Sequence, residues 1–299
     1  MQPYKRRLRQ LRLPLFLCQL RMARSPRTSQ NNQNNRNFRP IKMSPPPLAV
    51  REKLREERFG TVWKEDLHDV FVDVAPYYDR ANYFASFGLW GWFLRNFMSL
   101  IELRPGQRVL DVCAGTNAVG IALLGREPSL EVHAIDRSAA MQEVGRQRAQ
   151  ARGLEIRSNI GDVHVLPFPD NHFDVVTLQW ASRHLRVRDL FTEIRRVLKP
   201  GGRFHHCDML RPGNPVVEKL YYAYLRGSLA VTGLFFRSGS AAWGVKKYFI
   251  DAIELFYSAD ELSQVLSELG YRDVVAKSLL VGMIGMHRAV KPMANGTTE

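Results

Sequence analysis

Cysteine is scarce in this chain: Cys18, Cys113 and Cys207 are the only three, too far apart for a disulfide framework or a metal-ligand spacing. A reducing compartment is expected, with each thiol packed as a small apolar side chain. Acidic residues are absent from the first 51 positions, where twelve Lys or Arg sit. Removing those twelve from the 43 basic residues leaves 31 against 29 Asp and Glu. The formal charge of +14 therefore belongs to the tail, and nucleic-acid binding by the core is not expected. No apolar run approaches the roughly 18 residues that cross a bilayer, so any membrane contact would be peripheral.

The rest of the composition is that of a globular domain. Of 299 residues, 45% are hydrophobic and 24% charged, enough for one large domain with a sizeable core behind a tail. Residues 1–50 form the tail. Arg alternates with Leu, NNQNNRN follows, and Pro45-Pro46-Pro47 closes it, a composition too polar and broken to bury a core. Three readings fit: an Arg-rich, acid-free organellar presequence; upstream translation with the true start at Met43; or a basic arm that touches anionic lipid. Pro14 interrupts any presequence helix. Residues 51–104 read as helical and carry APYYDRANYFASFGLWGWFLRNF, either a lid over an apolar substrate or a helix covering the sheet. Residues 293–299 read as a disordered C-terminus.

From Pro105 to residue 292 apolar strand runs alternate with amphipathic helices. Candidate strands are Arg108–Val112, Glu131–Ile135, Glu155–Ile160, Phe173–Leu178, Arg203–Met209, Arg272–Lys277 and Leu280–Met286. Helices start near Ala118 and span Ala139 to about Ala151. This alternation predicts an α/β fold whose mostly parallel seven-stranded sheet is covered by helices on both faces. Ser258-Ala259-Asp260-Glu261 reads as a capping box and Gly270 as the stop of the last helix. The final two strands have almost no linker, so they should form a hairpin with an antiparallel C-terminal strand.

RVLDVCAGTNAVG, residues 108–120, places an acidic strand end before a small-residue loop that opens a helix, the arrangement that seats a nucleotide-like cofactor at the carboxyl edge of a parallel sheet. In this loop Asp111, Ala114 and Gly115 are cofactor candidates. A dinucleotide would want G-x-G-x-x-G, whereas only Gly115 stands in the tight part of the loop. A sulfonium nucleoside needs instead a cavity for its methionine part, a carboxylate for the ribose diol and a polar group for adenine. Asp136, 25 residues after Asp111 at a strand end, can accept both ribose hydroxyls, or it is a turn residue. Asp162 can accept from the adenine amine, or it too serves a turn. His205 and His206 point to opposite faces of one strand, and no cluster suggests a metal.

AIDRSAAM, GDVHVLPFPDNHFDVV and RRVLKPGGRF occur in the order and spacing of class I S-adenosylmethionine methyltransferases, and the chain resembles that class. From about Phe59 to Pro292 it further resembles the ubiquinone/menaquinone C-methyltransferase family, through RFGTV, YYDRANYFASFG, LPFPDNHFD, LFTEIRRVLKPGG and VGMIGMHRAVKP. The resemblance implies a Rossmann-like fold, S-adenosyl-L-methionine as cofactor, and a demethylated quinol with an isoprenoid tail as acceptor. It places Thr116, Asp136, Asp162, Val163 and Gln179 on the cofactor, and Tyr78 and Arg183 where the substrate is activated. It also implies a cytoplasmic protein peripheral to the membrane, or a mitochondrial matrix one if the tail is a presequence, with a homodimer or a quinone-synthesis complex as possible assemblies.

Several positions depart from the family pattern. Ala114 and Asn117 replace two glycines and should narrow the methionine pocket; Gln179 replaces a small hydroxyl residue; Asp162 stands where Asn is common; His184 follows Arg183 in place of Asn. Arg183 stays protonated and suits phenolate stabilisation, with Tyr78 holding a water, unless it is a surface charge beside Arg186 and Arg188. His184 titrates near neutral pH and is a candidate base, or it is merely packed. Asp79 and Asn82 can close the lid over the cofactor, with helix capping the rival role for Asp79. The alternatives to quinol methylation are another phenolic or lipid-like acceptor, or a non-catalytic scaffold.

Overall fold

The computed structural model describes residues 46–64, 66–235 and 246–293. The basic stretch before residue 46, with Cys18 and Met43, and the C-terminus from residue 294 lie outside the described residues. Four helices come first: α1 (Leu48–Lys64), α2 (Asp66–Val74), α3 (Tyr78–Ala85) and α4 (Trp90–Met98). α1 thus begins inside the stretch assigned to the tail, because Leu48 has a core to pack on. The alternating part runs β1 (Arg108–Val112), α5 (Ala118–Arg126), β2 (Glu131–Asp136), α6 (Ala139–Gln150), β3 (Arg157–Ile160), β4 (Phe173–Gln179), α7 (Val187–Val197) and β5 (Leu198–Met209). Then follow α8 (Pro215–Phe235), α9 (Lys246–Glu254), α10 (Ala259–Glu268), β6 (Arg272–Leu279) and β7 (Ile284–Val290).

The sheet has seven strands in the order β3-β2-β1-β4-β5-β7-β6. β1 to β5 pair in parallel, and β7 runs antiparallel to both β5 and β6. The crossover between β1 and β4 reverses the strand order there, and ligand crevices form at such switch points. Strand alternation divides the core between the two faces. Leu110, Val112, Val176 and Leu178 pack with α7 and α10 through Phe191, Ile194, Leu262 and Leu266, whereas Val109, Val132 and Val175 pack with α4 and α5 through Phe97 and Leu123. Each fully buried Phe or Leu contributes about 1.5–3 kcal/mol.

The capping box is formed as read: the Ser258 hydroxyl accepts from Glu261 N, and Gly270 ends α10 at φ 84°. The last strand differs from the expected Leu280–Met286. Leu280, Val281 and Gly282 are left-handed at φ 49°, 56° and 89°, which makes them the hairpin turn and moves β7 to Ile284–Val290. β5 starts five residues early at Leu198, with a register shift opposite Phe173 and Val175. Helices α8 and α9 were not assigned from the sequence; α8 carries exposed apolar residues beyond the face that meets the core.

A helical cap stands over the carboxyl edge of the sheet. Phe59, Leu67 and Val70 from α1 and α2 pack with Tyr248 and Ala252 of α9, while Tyr221 and Leu225 of α8 pack with Ile250 and Ile253. α1 is tied to the sheet domain by Arg51–Glu261 at 2.6 Å and Arg188–Glu52 at 2.9 Å. The cap therefore has two sources: α1 to α4 before β1, and α8 with α9 between β5 and β6.

Candidate active site

The loop after β1 holds the first cavity, of about 400 Å³. Cys113, Gly115 and Asn117 are all left-handed, at φ 54°, 51° and 56°, which turns the chain sharply out of the strand. Gly115 suits such a φ, and Asn tolerates it because its short amide bonds locally. Asp136, at the end of β2, accepts from Gly115 N through Oδ2 and from Ser138 N through Oδ1, both at 2.8 Å. Burial raises its pKa, and backbone hydrogen bonds from Ser138, Gly115 and Arg137 oppose that rise. One carboxylate so held fixes both the loop and its own remaining lone pairs, as a diol ligand requires.

Asp162, Val163 and Gln179 line the same cavity with Gly115, Asp136 and Met141. The Asp162 side chain is 68% exposed and accepts from His164 N at 2.9 Å and His164 Nδ1 at 2.7 Å. Burial pulls its pKa upward, but the bonds from His164 outweigh this and leave it lowered. Gln179 ends β4 with a buried Nε2 that has no hydrogen-bond partner. A buried donor of that kind is a point a polar ligand satisfies.

Three expected cofactor residues stand elsewhere. Asp111 lies one residue before the strand end, and pleat alternation turns its carboxylate onto the sheet face, where it accepts from Thr177 Oγ1 at 2.7 Å. Burial pushes its pKa up to about 7. Thr116 is buried under the cap: its Oγ1 donates to Asp79 Oδ1 at 3.1 Å, and Arg148 Nη1 reaches both Thr116 Oγ1 at 2.8 Å and Asp79 Oδ2 at 2.5 Å. Ala114 is absent from the cavity wall. These residues support the loop from behind.

The expected narrowing by Ala114 and Asn117 does not occur. Asn117 is fully buried behind the loop, where its Oδ1 accepts from Gln142 Nε2 at 3.0 Å, and Gln142 Nε2 also donates to the Gly115 carbonyl at 2.9 Å. Gly145 on α6 makes this possible, since a Cβ there would stand 2.8 Å from Asn117 Cγ and Nδ2. Asp79 does not cap α3, whose N-cap residue is Tyr77. It ties the cap to the loop through Thr116 and Arg148.

A second cavity, of about 520 Å³, adjoins the first, and Phe71, Tyr78 and Trp180 line both. Its walls come from α2, α3 and α4 and, unforeseen from sequence, from α8 and α9 through Tyr221, Leu225, Phe249 and Ile250. Arg183 faces this cavity and is neither a surface charge nor unpaired. Its Nη1 donates to the Trp180 carbonyl at 2.7 Å and to Asp208, and both of these acceptors are met by that one nitrogen. Burial opposes its charge, but Asp208 more than compensates and its pKa is raised. Asp208, fully buried at the end of β5, also accepts from Arg183 N at 3.0 Å, Ser182 Oγ at 2.6 Å and Met209 N at 2.7 Å. Sequence reasoning missed Asp208, which lies one residue before the strand end in HHCDM, the offset of Asp111 rather than of Asp136. Burial raises the Tyr78 pKa despite nearby Arg183, so Tyr78 is a neutral phenol near pH 7.

His184 lines the first cavity, but its ring is in the wrong state for a base. Its Nδ1 lies 2.7 Å from Tyr248 Oη, which itself accepts from Trp63 Nε1 at 2.8 Å. Both contacts are satisfied when the tyrosine O–H donates to Nδ1 and the imidazole proton is assigned to Nε2. Burial, then the Arg183 and Arg55 cations, hold its pKa well below the usual value. The basic nitrogen is already occupied. Arg55 secures the segment by donating to the carbonyls of Arg183 at 3.2 Å and Leu185 at 3.3 Å. His206 Nε2 contacts Ser182 Oγ at 2.7 Å. Among the described residues no three His, Cys, Asp or Glu side chains gather as a metal site, and no helix is long and apolar enough to cross a membrane.

The description "ubiE/COQ5 methyltransferase family" matches residues 56–291. A ubiquinone/menaquinone biosynthesis C-methyltransferase from Ectopseudomonas mendocina is 32% identical over 234 residues, 76% of this chain and 90% of the relative. Another from Dinoroseobacter shibae is 31% identical over 240 residues, 78% of this chain and 95% of the relative. Among solved structures, the fold is shared with a Haemonchus contortus phosphoethanolamine N-methyltransferase in complex with S-adenosyl-L-methionine, at TM-score 0.51 and 16% identity over 69% of this chain and 53% of that one. It is shared too with the Haloferax volcanii protein solved with the Trm112 methyltransferase activator, at TM-score 0.54 and 16% identity over 76% of this chain and 100% of that one. The residues around the first cavity fit S-adenosylmethionine through Asp136, Asp162 and the orphaned Gln179 amide. The chain belongs to the ubiE/COQ5 methyltransferase family and is an S-adenosylmethionine-dependent methyltransferase of the class I fold.

Proposed function

We propose that the protein methylates a ring carbon of a polyprenyl-substituted hydroquinone in ubiquinone- or menaquinone-type biosynthesis. The observation that carries this reading is the shared wall of Phe71, Tyr78 and Trp180 between the cofactor cavity and a larger, mainly apolar one that holds a single buried cation, Arg183. A flat aromatic ring with an isoprenoid tail matches that second cavity in size and polarity. The names of the relatives from Ectopseudomonas and Dinoroseobacter support the same acceptor class.

When bound, S-adenosylmethionine supplies an electrophilic methyl group, and Asp136, Asp162 and Gln179 would hold it. The protein's own work is alignment, exclusion of water and activation of the acceptor. A ring carbon becomes nucleophilic as the neighbouring hydroxyl gives up its proton to a water at the cavity junction, and once the carbon has taken the methyl group its own proton leaves to water and the ring regains aromaticity. Arg183, with Nε and Nη2 left for a ligand once Nη1 has bonded Asp208 and Trp180, stabilises the phenolate that results. Tyr78, a neutral phenol at the junction, donates a hydrogen bond to the acceptor oxygen or to a water on it. Asp208 and Ser182 position the guanidinium and do not touch the ring. The scaffold reading loses its motive, because Ala114 and Asn117 stay out of the cofactor cavity.

The test supplies methyl-labelled S-adenosylmethionine and a demethylated quinol to the full chain and locates the label by NMR. Label on a ring carbon, lost in Asp136→Ala together with cofactor binding by calorimetry, is the expected result. Tight cofactor binding with no transfer to any demethylated quinol, or label on oxygen, would overturn the reading.

A further inference from the structure

We infer that Tyr221 is a specificity-determining residue of the acceptor cavity: its hydroxyl bonds a second oxygen on the acceptor ring, so that a dihydroxylated ring is selected over a monophenol. This selection presupposes that the second cavity is the acceptor pocket.

Tyr221 is 3% exposed, and its Oη is buried without a hydrogen-bond partner. The other buried tyrosines are all engaged. Tyr222 Oη donates to Glu218 at 3.0 Å, Tyr257 Oη to Glu52 at 2.6 Å and Tyr271 Oη to the Phe191 carbonyl at 2.8 Å, while Tyr248 Oη is bonded to Trp63 and His184. Of these five, Tyr221 alone lines the acceptor cavity. A hydroxyl that the fold itself leaves unpaired in a cavity wall is a point that a polar ligand satisfies. Its ring is held in advance, packed with Leu225, Ile250 and Ile253 and stacked on Tyr222 at 5.9 Å, so little ordering is required when the ligand arrives.

Position decides which oxygen the hydroxyl meets. Phe71, Tyr78 and Trp180 form the wall shared with the cofactor cavity, whereas Arg183 and Tyr221 line the second cavity only. Tyr78 therefore stands on the methylated side of the ring, while Tyr221 comes from α8, which contributes nothing to the first cavity. Both phenols lie within electrostatic reach of the Arg183 guanidinium. With the phenolate oxygen met by Arg183 and Tyr78, the donor on α8 is left for an oxygen farther from the cofactor, where the second hydroxyl of a hydroquinone lies, para to the first. Burial raises the Tyr221 pKa, the Arg183 cation opposes the rise, and Asp208 and Tyr224 add to it, so the neutral hydroxyl can donate or accept. A ring without the second hydroxyl would seal Tyr221 Oη from water with nothing to bond, and a site built for a hydroxyl rejects the analogue that lacks it.

Calorimetry on the full chain saturated with S-adenosylhomocysteine, which has no methyl group to transfer, tests the inference. The two ligands are a short-tailed demethylated hydroquinone, kept anaerobic, and the same ring without its second hydroxyl. Wild type should bind the hydroquinone about tenfold or more tightly than the monophenol, and Tyr221→Phe should bind the two within about twofold of each other. Tyr221→Phe should melt no lower than wild type, because the hydroxyl it removes has no partner in the fold. A preference that survives in Tyr221→Phe, or wild type binding both rings equally, would overturn the inference and leave the acceptor reading in place. A melting temperature lowered by several degrees would assign the hydroxyl to the fold and overturn it too. Wild type that binds neither ring would sink the acceptor reading itself, and the selection by Tyr221 with it.

Discussion

Replacing Asp208 with Asn should separate the positioning of Arg183 from every other property of the site. The Asp208 carboxylate accepts from Arg183 Nη1, from Arg183 N at 3.0 Å, from Ser182 Oγ at 2.6 Å and from Met209 N at 2.7 Å. An Asn oxygen can retain two of these, and its NH2 group would then face the remaining donors. Arg183, with 11% of its side chain exposed, would keep its charge without a counter-ion. Breaking a buried pair from one side costs about 3–5 kcal/mol, a large share of the roughly 5–15 kcal/mol that holds a domain together. Urea unfolding followed by far-ultraviolet circular dichroism should show that loss with an unchanged slope. Arg183→Met/Asp208→Asn should recover most of the stability, because the uncompensated cation is gone, yet kcat/KM should stay about 100-fold or more below wild type. Cofactor affinity should hold within about twofold in both variants, since neither residue lines the first cavity. A stability change under about 1 kcal/mol in Asp208→Asn, or turnover regained by the double variant, would refute the reasoning.

Gly145→Ala should weaken S-adenosylmethionine binding measured by calorimetry: its Cβ would meet Asn117 at 2.8 Å and the Thr116 carbonyl carbon at 2.9 Å, and overpacking of about 1–3 kcal/mol falls on the loop. An affinity equal to wild type would show that the loop is not held as described. His184→Asn should leave the pH profile of turnover unchanged, because burial and two neighbouring cations hold the ring's pKa well below its usual value and Nδ1 is engaged by Tyr248; a lost acidic limb would restore the histidine as a base. Stability should fall on mild acidification. His205 and His206 are pushed down to about 3 and His184 well below its usual value, so the unfolded chain gains up to three imidazole protons that the folded chain does not. Asp111, pushed up to about 7, acts in the opposite sense for one proton. The net of about two protons makes unfolding easier by up to roughly 3 kcal/mol per unit as pH falls from about 6.5 towards 4.5. A melting temperature that is flat or rising over that window would contradict the burial of these rings as neutral groups.

Local chemistry made much of this protein legible in its sequence. The strand runs of β1, β2 and β4, the capping box at Ser258 and the left-handed stop at Gly270 are set by neighbours within a turn or two, and all stand as read. Asp136 and Asp162 were legible from their places at or near strand ends, whereas Val163 and Gln179 were expected only through the family resemblance; all four line the first cavity. A one-residue difference in pleat was not legible, and it turned Asp111 onto the sheet face. What remained depended on residues distant in sequence. Asn117 looked obstructive until Gly145, on a different helix, was seen to receive it. Arg183 looked like a free cation until Asp208 was found 25 residues further on. Helices α8 and α9 were not assigned from the sequence, and only the packing of Tyr221 and Leu225 on Ile250 and Ile253 showed which side of α8 meets the core. Periodicity, turn chemistry and strand ends were thus decided by the chain itself, because they act over a few residues. Side-chain partners, the state of the His184 ring and the second cavity were decided only by tertiary packing, because burial and charge pairing exist only once distant segments meet.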